Sequence, residues 1–493
     1  MQYDGLLQGI RAYLHQMAPQ AGHGTLPDAV DTHGDGPPSK DDIETALRVL
    51  DFCVKNPTIS NMNGNAPLHR VVDDLNNRLH RPVNVSKAKV IKKTDTVKYC
   101  YLCRYFLVTP HPQYPSMCKP CGSFNLASSE LSLPQALRLD GRTALVTGGR
   151  INLGYHTALR LLRCGAKVIV TSRYPRDAVA RYLMEKDSTE WEPRLKIIGA
   201  DFRAAGDVFH LVTGVKRVLR DWQGDEAKLD ILINNAAQTW TDSIRQESQA
   251  IDGEEQKELS EDSAINLLLD TSYSPRIRGG VQTTNLLQFD TEQKRIKSRY
   301  KDLDTVDRSM SVSEQEPKTS WVQNLYEIPY EDVISAHSVN VFVPFILIRE
   351  FLPLMGSTGP RENKNQASKP LGHIINVSAR EGIFESTPTN RHKNGYHVHT
   401  NLTKAALNML TETEAATAWR KRRVAMNSVD PGYLSAAPEI VARRWNDDCP
   451  IGWEDGAARV LWSIAVGESG KGAVWGRFLR DFGMGKGEER ICR

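Results

Sequence analysis

The run Thr143-Ala-Leu-Val-Thr-Gly-Gly-Arg-Ile-Asn-Leu-Gly154, with the residues that follow it to Arg173, leaves the chain few choices of fold. It reads as a buried strand at 144–146, a glycine turn, an amphipathic helix and a second buried strand at 168–170. That order opens a βαβ unit. A turn that lets backbone amides approach a pyrophosphate favours residues without a Cβ, here Gly148, Gly149 and Gly154. The helix starting near Gly154 would aim its N-terminal amides and its dipole at the phosphates. Where a ribose 2′-hydroxyl is read, the second strand usually ends in an acid. This one ends in Arg173, and Arg150 lies inside the turn. Two cations in place of a carboxylate fit a 2′-phosphate, so NADP(H) is expected over NAD. The competing reading is a glycine turn that binds no nucleotide. Its position between a strand and a helix argues against that.

A chain of 493 residues is too long for one core, and about two to four units are expected. The net charge of +4 gives no strong pull towards nucleic acid. The N-terminal residues form no apolar core of signal-peptide length, and the most apolar run, Val339 to Ile348, is too short to span a bilayer. A soluble, cytoplasmic protein with no membrane partner is expected. Four of the eight cysteines form two close pairs, which in a reducing compartment suggests metal rather than disulfides. Cys53, Cys164, Cys449 and Cys492 read as buried or free thiols.

Ahead of the βαβ unit three segments are expected. Residues 1–40 hold a helix and a Gly/Pro-rich linker. Residues 41–98 hold two short amphipathic helices and a lysine-rich segment, most simply a solvated strand. Residues 99–125 carry Cys100-Tyr-Leu-Cys103 and, after fourteen intervening residues, Cys118-Lys-Pro-Cys121-Gly122. Two such knuckles can place four thiolates at the corners of a tetrahedron, the geometry of a closed Zn²⁺ site. A zinc ribbon is expected, with Gly122 permitting a tight turn around sulfur. Because no position is left open, its role would be structural or in binding a protein partner.

From 139 to the C-terminus, strands at 195–202 and 229–237 continue the alternation. With Asp201-Phe202, Asn234-Asn-Ala-Ala237, Ser338-Val-Asn-Val341, Ile374-Ile-Asn-Val-Ser378, Thr403-Lys-Ala-Ala-Leu-Asn408 and Pro431-Gly432 also in order, residues 139–493 resemble the short-chain dehydrogenase/reductase family. The resemblance implies an α/β, doubly wound parallel (Rossmann) sheet of about seven strands, closed by an edge strand near 472–479. It implies a cofactor bed of Gly148, Arg150, Asn152, Gly154, Arg173, Asp201, Asn235, Lys404, Pro431 and Gly432. It also implies a small-molecule carbonyl or alcohol as substrate, and often a homo-oligomer.

In that family a Ser polarises the substrate carbonyl, a Tyr four residues before a Lys moves the proton, and an Asn supports a relay water. Asn340, Ser378 and Lys404 fall on matching positions, but the Tyr position is Thr400. An aliphatic alcohol is far less acidic than a phenol, whose pKa is about 10. Thr400 therefore cannot simply inherit the role, and Tyr396, His397 and His399 are the candidates to replace it. Two further departures stand out. Asn152 replaces the middle glycine of the turn, where Asn tolerates left-handed backbone. Ser435-Ala436 stands where a Thr is usual. A polar insertion, 241–325, follows a strand's carboxyl end and reads as a surface excursion that shapes or covers the substrate site. Two readings follow: an NADP-dependent oxidoreductase with altered proton delivery, or a silent NADP-binding scaffold or sensor acting through its zinc ribbon and inserts.

Overall fold

The structure, a computed structural model, describes residues 98–104, 107, 109–259, 273–278, 323–357, 369–384, 393, 395–434, 449–470 and 472–484. The chain divides into two compact units, Met1–Phe124 and Asn125–Arg493. The helices and lysine-rich segment expected before residue 98, most of the 241–325 insertion, and Ser435 and Ala436 lie outside the described residues.

In the first unit the two cysteine pairs are folded against each other. Pro110 and Cys118 form an antiparallel bridge, and Tyr101 and His111 donate their amides to Ser116 and Met117. The second pair then enters a helix, α1 (Lys119–Glu130), rather than the strand of a ribbon. Gly122 accordingly sits in a helical turn, its amide bonded to Cys118 O. Its bare face receives the His111 ring, since a Cβ there would lie 2.3 Å from the ring Cγ. Close packing, not a turn around sulfur, is what requires this glycine.

The second unit is built on β1 (Thr143–Val146), β2 (Lys167–Ser172), β3 (Leu195–Gly199), β4 (Ile231–Asn234), β5 (Gly372–Val377), β6 (Val424–Asp430), β7 (Phe478–Arg480) and β8 (Gly483–Met484). These short apolar runs are the signature of strands buried on both faces. Their order is β3-β2-β1-β4-β5-β6-β7-β8. The first seven are parallel, and β8 returns antiparallel to β7. The run near 472–479 is thus not the edge strand: β7 is paired on both sides and β8 forms the edge. Strand order reverses beside β1, the position at which open α/β sheets form a ligand crevice outside the strands' carboxyl ends.

Helices α2 (Asn152–Arg163), α3 (Pro175–Leu183), α4 (Ala205–Gln223), α5 (Ile244–Glu255), α6 (Tyr330–His337), α7 (Val343–Phe351), α8 (Val398–Arg422) and α9 (Trp453–Glu468) accompany the sheet. Alternate residues along each strand feed two cores. Val146, Val168 and Val170 pack with Leu159 and Leu162 of α2, Tyr182 of α3 and Ile464 of α9. Leu145, Ile169 and Ile374 pack with Val215 of α4, Phe351 of α7 and Ala415 of α8. The α6–α7 run, Tyr330–Leu354, is long and apolar enough to cross a membrane, yet half of its most apolar window is buried in this core.

Candidate active site

Three features of the backbone define the turn after β1. Gly148 has φ +67°, and a Cβ on it would meet the Ala236 Cα at 2.9 Å. Gly154 packs so closely that a Cβ would lie 2.2 Å from Gly148 O and 2.4 Å from Asn235 Nδ2. Asn152 has φ +54°, the left-handed backbone that a glycine would otherwise supply. Asn235, at the end of β4, donates Nδ2 to Thr147 O and Gly148 O at 2.9 and 3.2 Å. Thr147 Oγ1 accepts the amides of Asn235 and Ala236, both at 3.0 Å. Asn235 and Thr147 therefore brace the turn from below, a role for Thr147 that its place beside the glycines could have suggested.

Arg150 and Arg173 converge on one ring. Their guanidinium carbons lie 5.0 and 5.5 Å from the centroid of buried Tyr174. Neither cation stands alone. Arg150 Nη1 is 2.7 Å from Asp177 Oδ2, and Arg173 is 3.8 Å from both Asp242 and Glu247. Asp177 also meets Arg181 and Lys257, each at 2.7 Å. Burial opposes its charge, but these three cations hold its carboxyl well below the usual range. Asp201, after β3, is chelated by Arg203 through Nε and Nη2 at 3.0 and 2.7 Å, and Arg203 continues to Glu247 at 2.6 Å.

The described parts of the insertion differ from a solvated excursion. Helix α5 begins with a capping box at Ser243 and Gln246, and it buries Glu247, Ile251 and Glu254. Ile251 joins Tyr174 and Ile277 in a small apolar cluster, with Ile244 against it. Tyr273 packs on Gly199 at the end of β3, where a Cβ would lie 2.2 Å from the ring. These parts of the insertion thus lie against the carboxyl ends of β2 and β3, alongside Arg173 and Asp201. The signal for this docking was present: Ile244, Glu247, Ile251 and Glu254 share one helical face.

The other residues implied by the resemblance gather beyond β4, β5 and β6. Ser378 directly follows β5, its Oγ buried and without a hydrogen-bond partner among the described residues. On α8, Lys404 donates Nζ to Val377 O at 2.7 Å, one residue from Ser378. Burial pushes this ammonium down to about 8, against the pull of Glu381 and Asp430. Asn340 lies in a single π turn, Ser338–Phe342, between α6 and α7. Its Oδ1 accepts Gln238 N at 2.7 Å, and its Nδ2 donates to Gln238 O and Thr403 Oγ1 at 2.9 and 3.0 Å. His399 Nε2 lies 2.9 Å from Thr239 O, and Thr400 Oγ1 reaches the same carbonyl at 3.5 Å. Gln238 and Thr239 were not singled out from sequence, because nothing in their residue types announces which carbonyl will be needed. Tyr396 precedes α8 and is about half exposed, while His397 turns the chain with φ +57°. Pro431 and Gly432 follow β6, where Asp430 Oδ1 accepts Gly432 N at 2.8 Å and Oδ2 accepts Arg380 N at 3.2 Å. Asp430 thereby ties the loop carrying Ser378 to the Pro-Gly turn.

In the first unit the Sγ atoms of Cys100, Cys103, Cys118 and Cys121 all lie within 4.8 Å of one another, and Cys103 and Cys118 are 3.9 Å apart. Zn–S bonds of about 2.3 Å in a tetrahedron require sulfur separations of about 3.8 Å, so the donor set fits the ion. Cys118 N donates to Cys100 Sγ at 3.3 Å, and the N-terminus of α1 adds a dipole that favours thiolate.

A doubly wound sheet, a glycine turn at its switch point, and Ser378 and Lys404 beyond β5 define an α/β protein of the Rossmann class. The family model described as short chain dehydrogenase matches residues 142–267. An uncharacterized protein of Acanthamoeba polyphaga mimivirus is 30% identical over 387 residues, spanning 76% of this chain and 72% of that protein. A short chain dehydrogenase/reductase of Gibberella zeae is 32% identical over 113 residues, 22% of this chain and 30% of that protein. Among solved structures, the landomycin C-6 ketoreductase LanV with bound NADP and rabelomycin is 19% identical, with a TM-score of 0.42 over 70% of this chain and 96% of that one. Residues 142–267 thus match the short chain dehydrogenase model, and part of the chain is similar to a short chain dehydrogenase/reductase.

Proposed function

We propose that the chain is an NADP(H)-dependent oxidoreductase acting on a carbonyl or alcohol of a small molecule, with proton delivery that does not use a phenol at position 400. The observation that carries this reading is the juxtaposition after β5. The Lys404 ammonium is held on the carbonyl next to Ser378, and the Ser378 hydroxyl is buried with no partner among the described residues. A buried hydroxyl left without a partner is costly unless a ligand completes it. A pyrophosphate turn needs close backbone packing and a left-handed residue, and Gly148, Gly154 and Asn152 meet those demands here. Arg150 and Arg173 would take the 2′-phosphate, and Asp201, Asn235, Pro431 and Gly432 would complete the bed.

When bound, the nicotinamide supplies or accepts the hydride. Ser378 Oγ donates to the substrate carbonyl, and Lys404 holds positive charge beside the oxygen that becomes anionic. Asn340, fixed through Gln238 and Thr403, keeps α8 in register with the crossover after β4. The Thr400 hydroxyl stays a donor to Thr239 O. We place His399 in the proton-transfer role. Burial lowers its pKa, its Nε2 is engaged by Thr239 O, and its Nδ1 is left as an acceptor for a substrate proton. In the first unit, Cys100, Cys103, Cys118 and Cys121 would hold a structural Zn²⁺.

NADPH oxidation with a panel of ketones and aldehydes, and NADP reduction with the matching alcohols, tests the assignment. Turnover on at least one pair is expected, with Ser378→Ala lowering kcat by about 10²–10³-fold. A second reading, a silent NADP-binding scaffold, is favoured by the Thr at position 400. NADPH binding without turnover on any substrate would select it. For the first unit, one zinc per freshly purified chain is expected, and none would remove the metal assignment.

A further inference from the structure

Helix α3 is nine residues long and starts at Pro175, two residues after Arg173. Its first amides are occupied by a carboxylate from far along the chain: Glu254 Oε1 accepts Arg176 N at 2.5 Å and Oε2 accepts Asp177 N at 2.8 Å. Glu254 is 3% exposed, so this is a buried anion on paired backbone donors. The same small volume holds Tyr174, with the Arg150 and Arg173 guanidiniums on its ring, and Lys257 on Asp177. Arg150 and Lys257 are already paired with Asp177, and Arg173 with Asp242 and Glu247, so an incoming phosphate would take the two amides from Glu254 and share these cations with their present partners. The helix carrying Glu254 is held by a small apolar contact, Ile251 and Ile244 with Tyr174 and Ile277, and otherwise by ion pairs.

We infer that Glu254 is an internal stand-in for the nucleotide 2′-phosphate, and that NADP(H) binds by displacing it and loosening α5. The inference rests on the NADP reading above and adds to it a cost that NADP must overcome and NAD need not. It also gives the insertion a purpose: α5 is docked when the crevice lacks the phosphate and released when the phosphate arrives. Nucleotide occupancy is thereby reported on the protein surface.

The test uses the full chain, NADPH, NADH and adenosine 2′,5′-bisphosphate, with wild type and Glu254→Gln. NADPH and the bisphosphate are expected to bind the variant about tenfold or more tightly than wild type, with NADH changed less than twofold. Independently of any variant, hydrogen exchange across residues 244–255 of the wild type is expected to rise on adding NADPH and to stay level on adding NADH. If NADPH binds with neither an affinity gain in the variant nor a change in exchange, the displacement is overturned while the NADP reading stands. Equal tightening of NADH and NADPH would show that Glu254 blocks nucleotides in general, overturning the stand-in role. If wild type and variant both fail to bind NADPH, the NADP reading falls and the inference with it.

Discussion

Gly148 and Gly154 refuse a side chain for different reasons. At Gly148 the backbone is left-handed and Ala236 stands 2.9 Å from where a Cβ would be; at Gly154 the obstacle is the backbone oxygen of Gly148 itself. Gly154→Ala is expected to destabilise the second unit by about 1–3 kcal/mol, the usual cost of overpacking, measured by urea titration. An unchanged midpoint would mean that the turn can open to accept it. Lys404 gives a prediction in pH. An unfolded lysine titrates near about 10.4. With the folded value held down at about 8, the unfolded chain binds more protons between those limits, so this group's contribution to stability rises with pH through that window. Function moves the other way. The ammonium is lost as pH rises through about 8, and turnover is expected to fall on that limb. A pH–rate profile measures it, and Lys404→Met should abolish both the limb and most of the rate. The glycines, Asn340, Ser378 and Lys404 could be read from sequence because residue type and position in the chain determine their neighbours. Glu254 and Asp177 could not, because their significance lies in partners about eighty residues apart.

At the scale of elements, the βαβ opening was legible because a buried strand, a glycine turn and a helical stripe each leave a local pattern, and the three agreed. What escaped was where the insertion docks. The acidic composition of 241–325 suggests solvent, yet Glu247 and Glu254 are buried because Arg203 and the amides of α3 receive them. The closing segment was misplaced by one strand for a related reason: two residues, Gly483 and Met484, are too few to show a period. Charge pairing also fixes the other end of the sheet. Arg142 donates to Asp230 and Glu468, both at 2.9 Å, joining the start of β1 to the loop before β4 and the end of α9. Arg142→Met leaves two partly buried carboxylates without this donor and is expected to cost about 1–3 kcal/mol by urea titration. A loss below about 0.5 kcal/mol would show that Lys369 and solvent suffice for them.

Across the whole molecule, one arrangement recurs. The carboxyl ends of β1 to β3 carry the turn, the two guanidiniums and the docked insertion, while the carboxyl ends of β4 to β6 carry Asn235, Ser378 and Asp430. A dinucleotide laid across the switch point would span both halves, with its adenosine end towards Arg173 and its reactive end towards Ser378. On the proposed function, this crevice takes a nucleotide bearing a 2′-phosphate. Equilibrium titration of the purified chain with NADPH and NADH, followed by tryptophan-to-nicotinamide energy transfer, measures it most directly. Saturable NADPH binding at least about tenfold tighter than NADH, about 1.4 kcal/mol, is expected, and Gly148→Val should abolish it. A preference for NADH, or no binding of either nucleotide, would contradict it.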